Sequence, residues 1–320
     1  MLGFNRKNSS RYRLAVAVSH TKARFFLGKS AAEAESTSIE PILNDVLPLP
    51  SEQPERVVAD FFSKYKKLNL ESTPTTLVLA PQLYESIQVE PPSVPAAEIA
   101  DSLKFSLKEL MSYSPDNAAI DYYELPFHAA GSKNIVALAT AKDSLQRWVA
   151  AIEQYKLKLQ SITATETVLA ALIDNSARGH LVIYENDEQG YLIQIYHKKR
   201  LAFSRQLRAL RPLSEYSGDE IEAGALEPLA TEVQRSMDYY ESQLRQAQVA
   251  QVTCAFEHRQ LDKVTATLNE LLAVACEKFA YPAWAYELAE GDYTDLTAIA
   301  ALQQMLDSET EANKSRSEVA

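Results

Sequence analysis

Two short, almost wholly apolar runs, Leu14 to Val18 and Leu181 to Tyr184, stand about half a chain apart, and each opens a similar succession of segments. A run of this length, bounded by polar turn residues, reads as a strand buried on both faces. After the first, Ser19 to Thr21 is a tight turn, Lys22 to Gly28 a returning strand and Ser38 to Leu43 a third. Pro54 to Leu68 then places Val57, Val58, Phe61, Phe62, Tyr65 and Leu68 on one side of a helix, and Thr75 to Ala80 is again a buried strand. From His180 the order recurs: strands at His180 to Tyr184, Tyr191 to Tyr196 and Arg200 to Gln206, a long helix from Leu226 to Ala247, and a strand at Val249 to Thr253. A meander followed by a helix and a further strand, written twice, predicts an α/β chain of two lobes with a cleft between them.

The first lobe, 10–175, carries an insertion at about 86–141. Its start is marked by Glu90 to Pro95, a proline-rich turn that cannot lie inside a sheet and launches a helix near Ala96. That helix carries Ile99, Leu103, Leu107 and Met111 as one stripe and ends before Ser114 and Pro115; strands follow at Ala118 to Leu125 and Asn134 to Thr140. A helix from Asp143 to Tyr155, a strand at Lys158 to Thr163 and a joining helix near Thr165 to Asp174 complete the lobe. The second lobe, 176–306, closes with a helix from Leu296 to Leu306. The acidic stretch Pro212 to Gly224 reads as a loop, and 307–320, poor in apolar residues, reads as a disordered tail.

With 320 residues and 46% hydrophobic content, the chain can bury a large core. A formal charge of -11 and a pI near 5.1 give it no positive field to hold a phosphate backbone, which argues against nucleic acid as a partner. Two cysteines outside any CxxC pair fit a reducing compartment. The apolar run near the N-terminus, Leu14 to Val18, is too short for the core of a secretory signal, and no run approaches the ~20 residues of a membrane-spanning helix. The expected location is cytoplasmic, with any membrane association made through a partner.

Glycine is scarce: 8 in 320 residues, at 3, 28, 131, 179, 190, 218, 224 and 291, no two closer than six positions. Phosphate cradles crowd backbone N–H groups around anionic oxygens, usually through closely spaced glycines, and the chain holds no GxG, GG or GxxxxGK[ST]. Other chemistries find little footing. His20, His128, His180, His197 and His258 form no HExxH or HxxxH pair, and Cys254 with His258 supplies only two ligands. Glu185, Asp187 and Glu188 fall in a turn between strands. The basic run Lys198, Lys199, Arg200, Arg205, Arg208 and Arg211 reads as a turn plus an exposed strand face, with anionic headgroups or an acidic partner as the alternative. No G-x-S-x-G elbow is present.

The stretch Val89 to Pro92 through Glu98, Ile99 and Leu103 to Phe105, on to Ser114 to Asp116 and Ile120 to Leu125, resembles the inserted subdomain of PilM-type pilus assembly proteins. Glu232 to Tyr240 on the long helix carries the same resemblance, which extends from Arg13 to Leu306 in order of elements and is nearest the MshI branch, of the mannose-sensitive haemagglutinin (MSHA) pilus system. It implies an actin-like ATPase fold, that is, a duplicated ribonuclease H-like fold in two lobes with an inserted small subdomain. It further implies a cytoplasmic protein, peripheral to the inner membrane, that holds the short tail of a PilN-like single-pass (bitopic) inner-membrane protein within the pilus assembly complex. The phosphate motifs of ATP-binding relatives are not met. Ala17 and Ser19 stand where the first has its Asp and final Gly, Tyr184 stands at the Asp of the second, and Thr253 to His258 replaces the glycine pair of the adenosine loop. The resulting expectation is a non-catalytic scaffold, a pseudo-ATPase without cofactor or metal; the alternative is an active actin-like ATPase with a divergent nucleotide site. The apolar stripe of the inserted helix, Leu103, Leu107 and Met111, is the candidate groove for the partner's tail.

Overall fold

A computed structural model describes residues 11–32, 37–50, 53–186, 190–207, 211–285 and 296–318. The chain divides into two compact units, one of Met1–Tyr84, Thr140–Ala171 and Thr297–Ala320, the other of Glu85–Ala139 and Leu172–Leu296. The sequence put the insertion with the first lobe and the closing helix with the second; contacts group both the other way, for reasons visible within each unit.

In the first unit the apolar run becomes β1 (Tyr12–Val18), with β2 (Lys22–Ala32) and β3 (Thr37–Pro48) antiparallel beside it. On its other side lie β4 (Pro74–Leu79) and β8 (Lys158–Ala164), both parallel, so the order is β3-β2-β1-β4-β8. One face is covered by α1 (Pro54–Lys64) and α3 (Lys142–Gln154): Phe25 stacks on Phe61 with centroids 4.2 Å apart, and Phe62 on Tyr155 at 4.1 Å. Pro54 in the first turn of α1 and Glu55 beside it suit a helix start, since the missing N–H needs no partner and the carboxylate faces the positive dipole end. A short helix, α4 (Thr165–Val168), follows β8.

The closing helix, α8 (Leu296–Glu318), packs here. The tail expected to be disordered continues it, because ordered neighbours compensate for its thin apolar content. Met305 and Leu306 are buried, Gln303 donates to Asp307 at 2.8 Å, and Glu309 accepts from Arg13 of β1 at 2.7 Å. Gly28 lies between this helix and Ile39 of β3, and its lack of a side chain makes room for Ile39. A Cβ built there would lie 2.3 Å from Ile39 Cγ2 and 3.4 Å from Leu302 Cδ1. Gly28→Ala is therefore expected to cost about 1–3 kcal/mol through overpacking, read as a lower urea midpoint at unchanged slope.

The second unit repeats the sheet. β9 (His180–Asn186), β10 (Gly190–His197) and β11 (Arg200–Leu207) are antiparallel, β12 (Gln251–Ala255) and β13 (Ala275–Lys278) lie parallel to β9, and the order is β11-β10-β9-β12-β13. This recurrence of one strand order is the duplicated ribonuclease H-like arrangement. The core packs α6 (Glu227–Ser242) and α7 (Leu261–Leu272) on Leu181, Ile183, Ile193 and Ile195. α6 stops short of the expected Ala247 because Arg245 turns left-handed at φ 56. The acidic loop holds a short helix, α5 (Gly218–Glu222), fixed by a capping box between Ser217 and Glu220.

The insertion belongs to this unit. Its sheet is β5 (Glu85–Val89), β7 (Ile135–Ala141) and β6 (Ala118–Glu124), ordered β5-β7-β6, under α2 (Ile99–Ser106). The end of β6 and the segment after it tie it down: Phe127 meets His197 edge-on at 4.8 Å, and Arg200 donates to the carbonyl of Glu124, the last residue of β6, at 3.2 Å.

Candidate nucleotide and partner positions

The position that the resemblance matches to the first phosphate motif is the turn between β1 and β2. Ala17 is buried, and Ser19 closes the turn on itself: its amide donates to the Lys22 carbonyl at 2.9 Å, and its Oγ accepts from the amides of Thr21 at 3.4 Å and Lys22 at 3.3 Å. A phosphate cradle requires several N–H groups aimed outward together. Here three amides of the turn are already committed to the turn itself, and position 17 offers a methyl where a metal-bound water would need a carboxylate.

The second position, Tyr184, is a buried residue in the middle of the second sheet, opposite Leu192 on β10 and Ala255 on β12. The carboxylate next to it, Glu185, accepts from the Tyr191 hydroxyl at 3.2 Å and from the Glu257 amide at 3.0 Å, so it fastens the end of β12 to the hairpin. Sequence reasoning gave this residue only a solvated turn; Asp187 and Glu188 lie outside the described residues. Along the stretch matched to the adenosine loop, Cys254 and Phe256 are core residues, and Phe256 packs edge-on against Tyr191 at 5.6 Å. His258 Nδ1 accepts from the Gln260 amide at 2.9 Å, starting α7. Burial holds the Cys276 thiol up at about 11 and Cys254 higher still, so both are inert thiols at neutral pH. Among the described residues no group of three or more His, Cys, Asp or Glu is placed to hold a metal ion.

The basic run resolves into the turn that was expected. Lys198 and Lys199 form the β10–β11 hairpin turn with φ 49 and 57, both left-handed. Arg205 pairs with Glu232, and Arg211 with Glu215 and Glu220 while lying over the Tyr216 ring at 4.0 Å. Arg208 lies outside the described residues.

Leu103, Leu107 and Met111 do not line an open groove. Leu103 and Leu107 are fully buried and Met111 nearly so, all three within the insertion's own core with Ala118, Ile135, Ala137 and Ala139. A single layer of helix over a three-stranded sheet needs that stripe for its own stability. The exposed apolar side chains of the segment are Phe105, at 75% exposure, and Leu110, at 63%. The helix also ends earlier than its apolar spacing suggests, at Ser106, with Leu107 capping it. No helix among the described residues is long and apolar enough to cross a membrane.

No family model matches the sequence, and no curated protein matches it. The structure is similar to a chain of the PilM–PilN type IV pilus biogenesis complex, with a TM-score of 0.59 at 12% identity over 83% of this chain and 87% of that one. It is also similar to the cytoplasmic domain of EpsL, an inner-membrane component of the type II secretion system of Vibrio cholerae, with a TM-score of 0.50 at 8% identity over 92% and 94%. A protein of Bacteroides thetaiotaomicron with an actin-like ATPase fold and unknown function gives 0.47 at 8% identity over 86% and 94%. The chain has the actin-like ATPase fold.

Proposed function

We propose that this chain is a scaffold of type IV pilus assembly, of the MSHA branch, that works without nucleotide and holds the cytoplasmic tail of a PilN-like inner-membrane protein. It acts in the cytoplasm at the inner membrane, reaching the bilayer only through that partner. The observation that carries the reading is the turn at Ser19, whose amide donors are spent internally at the place where an actin-like ATPase would open them to a phosphate. Three further facts support it: the fold shared with a chain of the PilM–PilN complex, the absence of closely spaced glycines, and the burial of Tyr184 at the second phosphate position.

Titration of the purified chain with magnesium ATP is expected to give no binding heat and no thermal shift at millimolar nucleotide, whereas a PilN-like cytoplasmic tail is expected to bind. For a ligand present at 100 times its Kd, mass action would stabilise the chain by about 2.7 kcal/mol, a shift that cannot be overlooked. Saturable binding of magnesium ATP would overturn the nucleotide-free part of the proposal and favour a divergent ATPase.

A further inference from the structure

At one end of the second sheet β9 begins, β10 ends and β11 begins: His180 lies opposite Tyr196, and His197 opposite Arg200. The turn of Lys198 and Lys199 is folded against the segment that precedes β9. The Lys198 amide donates to the Ser176 carbonyl at 2.9 Å, and the Arg178 amide to the Ser176 hydroxyl at 3.1 Å. The approach to β12 closes the same end, with the Ala250 amide donating to the Gly179 carbonyl at 2.8 Å, and Arg245 stands in the turn that leads there from α6. Arg178, Lys198, Arg200 and Arg245 are thereby gathered at one end of the sheet, all four exposed.

The fold makes little use of these charges. Arg205, Arg211, Arg235, Lys263 and Lys278 of the same unit each pair with a carboxylate. None of the four does so among the described residues, and Arg200 bonds only the Glu124 carbonyl. Lys198 and Lys199 hold φ 49 and 57, a left-handed turn for which asparagine and glycine are the favoured residues, so lysine is a poor choice for the turn alone.

What such a face fits is decided by what it lacks. No large apolar side chain is exposed on the segments that carry the four cations, and a protein interface is built around apolar and aromatic side chains. Anionic headgroups need only accessible cations, each worth about fivefold in binding. Asp174, Glu124 and Glu241 lie on adjoining segments and offset part of the charge. The attraction therefore falls short of stable attachment, which takes a second signal. We infer that this end of the second sheet rests on the anionic headgroups of a phospholipid bilayer once the partner's tail has brought the chain there. Resting on the function proposed above, the tail recruits and the cationic face orients.

The test uses the full chain and vesicles of phosphatidylcholine, with or without phosphatidylglycerol, all displaying the lipid-anchored cytoplasmic tail peptide of a PilN-like protein from the same genome. Phosphatidylglycerol is expected to tighten binding at low salt, and the combined change Arg178→Gln and Lys198→Asn to weaken binding to those vesicles roughly 25-fold, with no change on neutral ones. Raised salt should abolish the difference. Both side chains are exposed and asparagine suits a left-handed turn, so the thermal midpoint should stay where it is. No gain from phosphatidylglycerol, or the same gain in the double variant, would overturn the cationic face, while binding to the neutral vesicles would keep the partner. Failure on neutral vesicles, with a phosphatidylglycerol-dependent signal that the double variant lacks, would overturn the partner assignment and keep the face. Soluble polyglutamate binding the wild type as tightly as the anionic vesicles do would replace the bilayer with an acidic protein segment.

Discussion

Leu103→Ala and Leu107→Ala are each expected to destabilise the inserted subdomain by about 3 kcal/mol, within the range for leucines removed from a core that cannot collapse. Both side chains are 0% exposed and stand one helical turn apart over the same three-stranded sheet. That core is small, so few neighbours can move in to fill the space. The two positions share partners, and the double replacement should depart from additivity. Amide exchange gives the sharpest measurement: Ile135 to Ala139 on β7 should lose protection in the double variant, while Leu181 to Ile183 on β9 keeps it, because the larger core of α6 and α7 is untouched. Phe105→Ser, at a side chain 75% exposed, should change stability by no more than about 0.5 kcal/mol. Losses below about 1 kcal/mol for both leucines would show that the stripe is free to face a partner after all.

How far such features could be read in advance depended on what each residue had to do locally. β1 and β9 were legible because a strand buried on both faces must be apolar throughout, and both runs are. β5 was not, since Glu85 to Val89 alternates between half-buried and exposed positions over only five residues, which a loop would do equally well. α7 carries Val264, Leu268 and Leu272 at four-residue spacing, a signal present in the sequence and passed over; β13 depends on Asn269 bonding both the amide and the carbonyl of Cys276, a tertiary arrangement no pattern announces. The end of α8 is the clearest tertiary effect. Ser308 to Glu318 has a disordered composition, yet Glu309 is held by Arg13, some three hundred residues earlier.

The candidate site divides in the same way. That Ala17, Ser19 and Tyr184 are neither acidic nor glycine is a matter of residue identity, and the sequence states it. That the Ser19 hydroxyl consumes the amides of its own turn is a matter of geometry, and only the structure supplies it. The stripe of Leu103, Leu107 and Met111 illustrates the opposite limit: spacing identifies which residues share a helix face, but not whether that face meets the subdomain's own sheet or an open groove.

Stability should fall in mild acid because of His180, by up to about 3 kcal/mol between pH 6.5 and pH 4. The ring is 7% exposed at the start of β9; Gln251 Nε2 donates to its Nδ1 at 3.0 Å, and its Nε2 lies 2.8 Å from the Thr253 hydroxyl. Neutral imidazole satisfies both bonds, with Nδ1 accepting and Nε2–H donating, whereas a proton on Nδ1 would face a donor. Burial drives the ring's pKa from 6.5 down to about 4, against a smaller opposing pull from Asp174. Because the folded pKa is the lower one, the unfolded chain takes up a proton near pH 6.5 that the folded chain refuses until about pH 4. The stabilisation is therefore complete above 6.5 and is withdrawn as pH falls through that window. His197, also lowered by burial and by Lys198, adds a smaller change of the same sign, so the contribution of His180 is isolated by comparison with His180→Gln. Urea unfolding at intervals from pH 7 to pH 4 should show the wild type losing about 1.4 kcal/mol per unit across the middle of the window. The variant should follow a flatter line, weaker than wild type at pH 7 and converging with it in acid; parallel lines would mean that His180 titrates alike in the folded and unfolded chains.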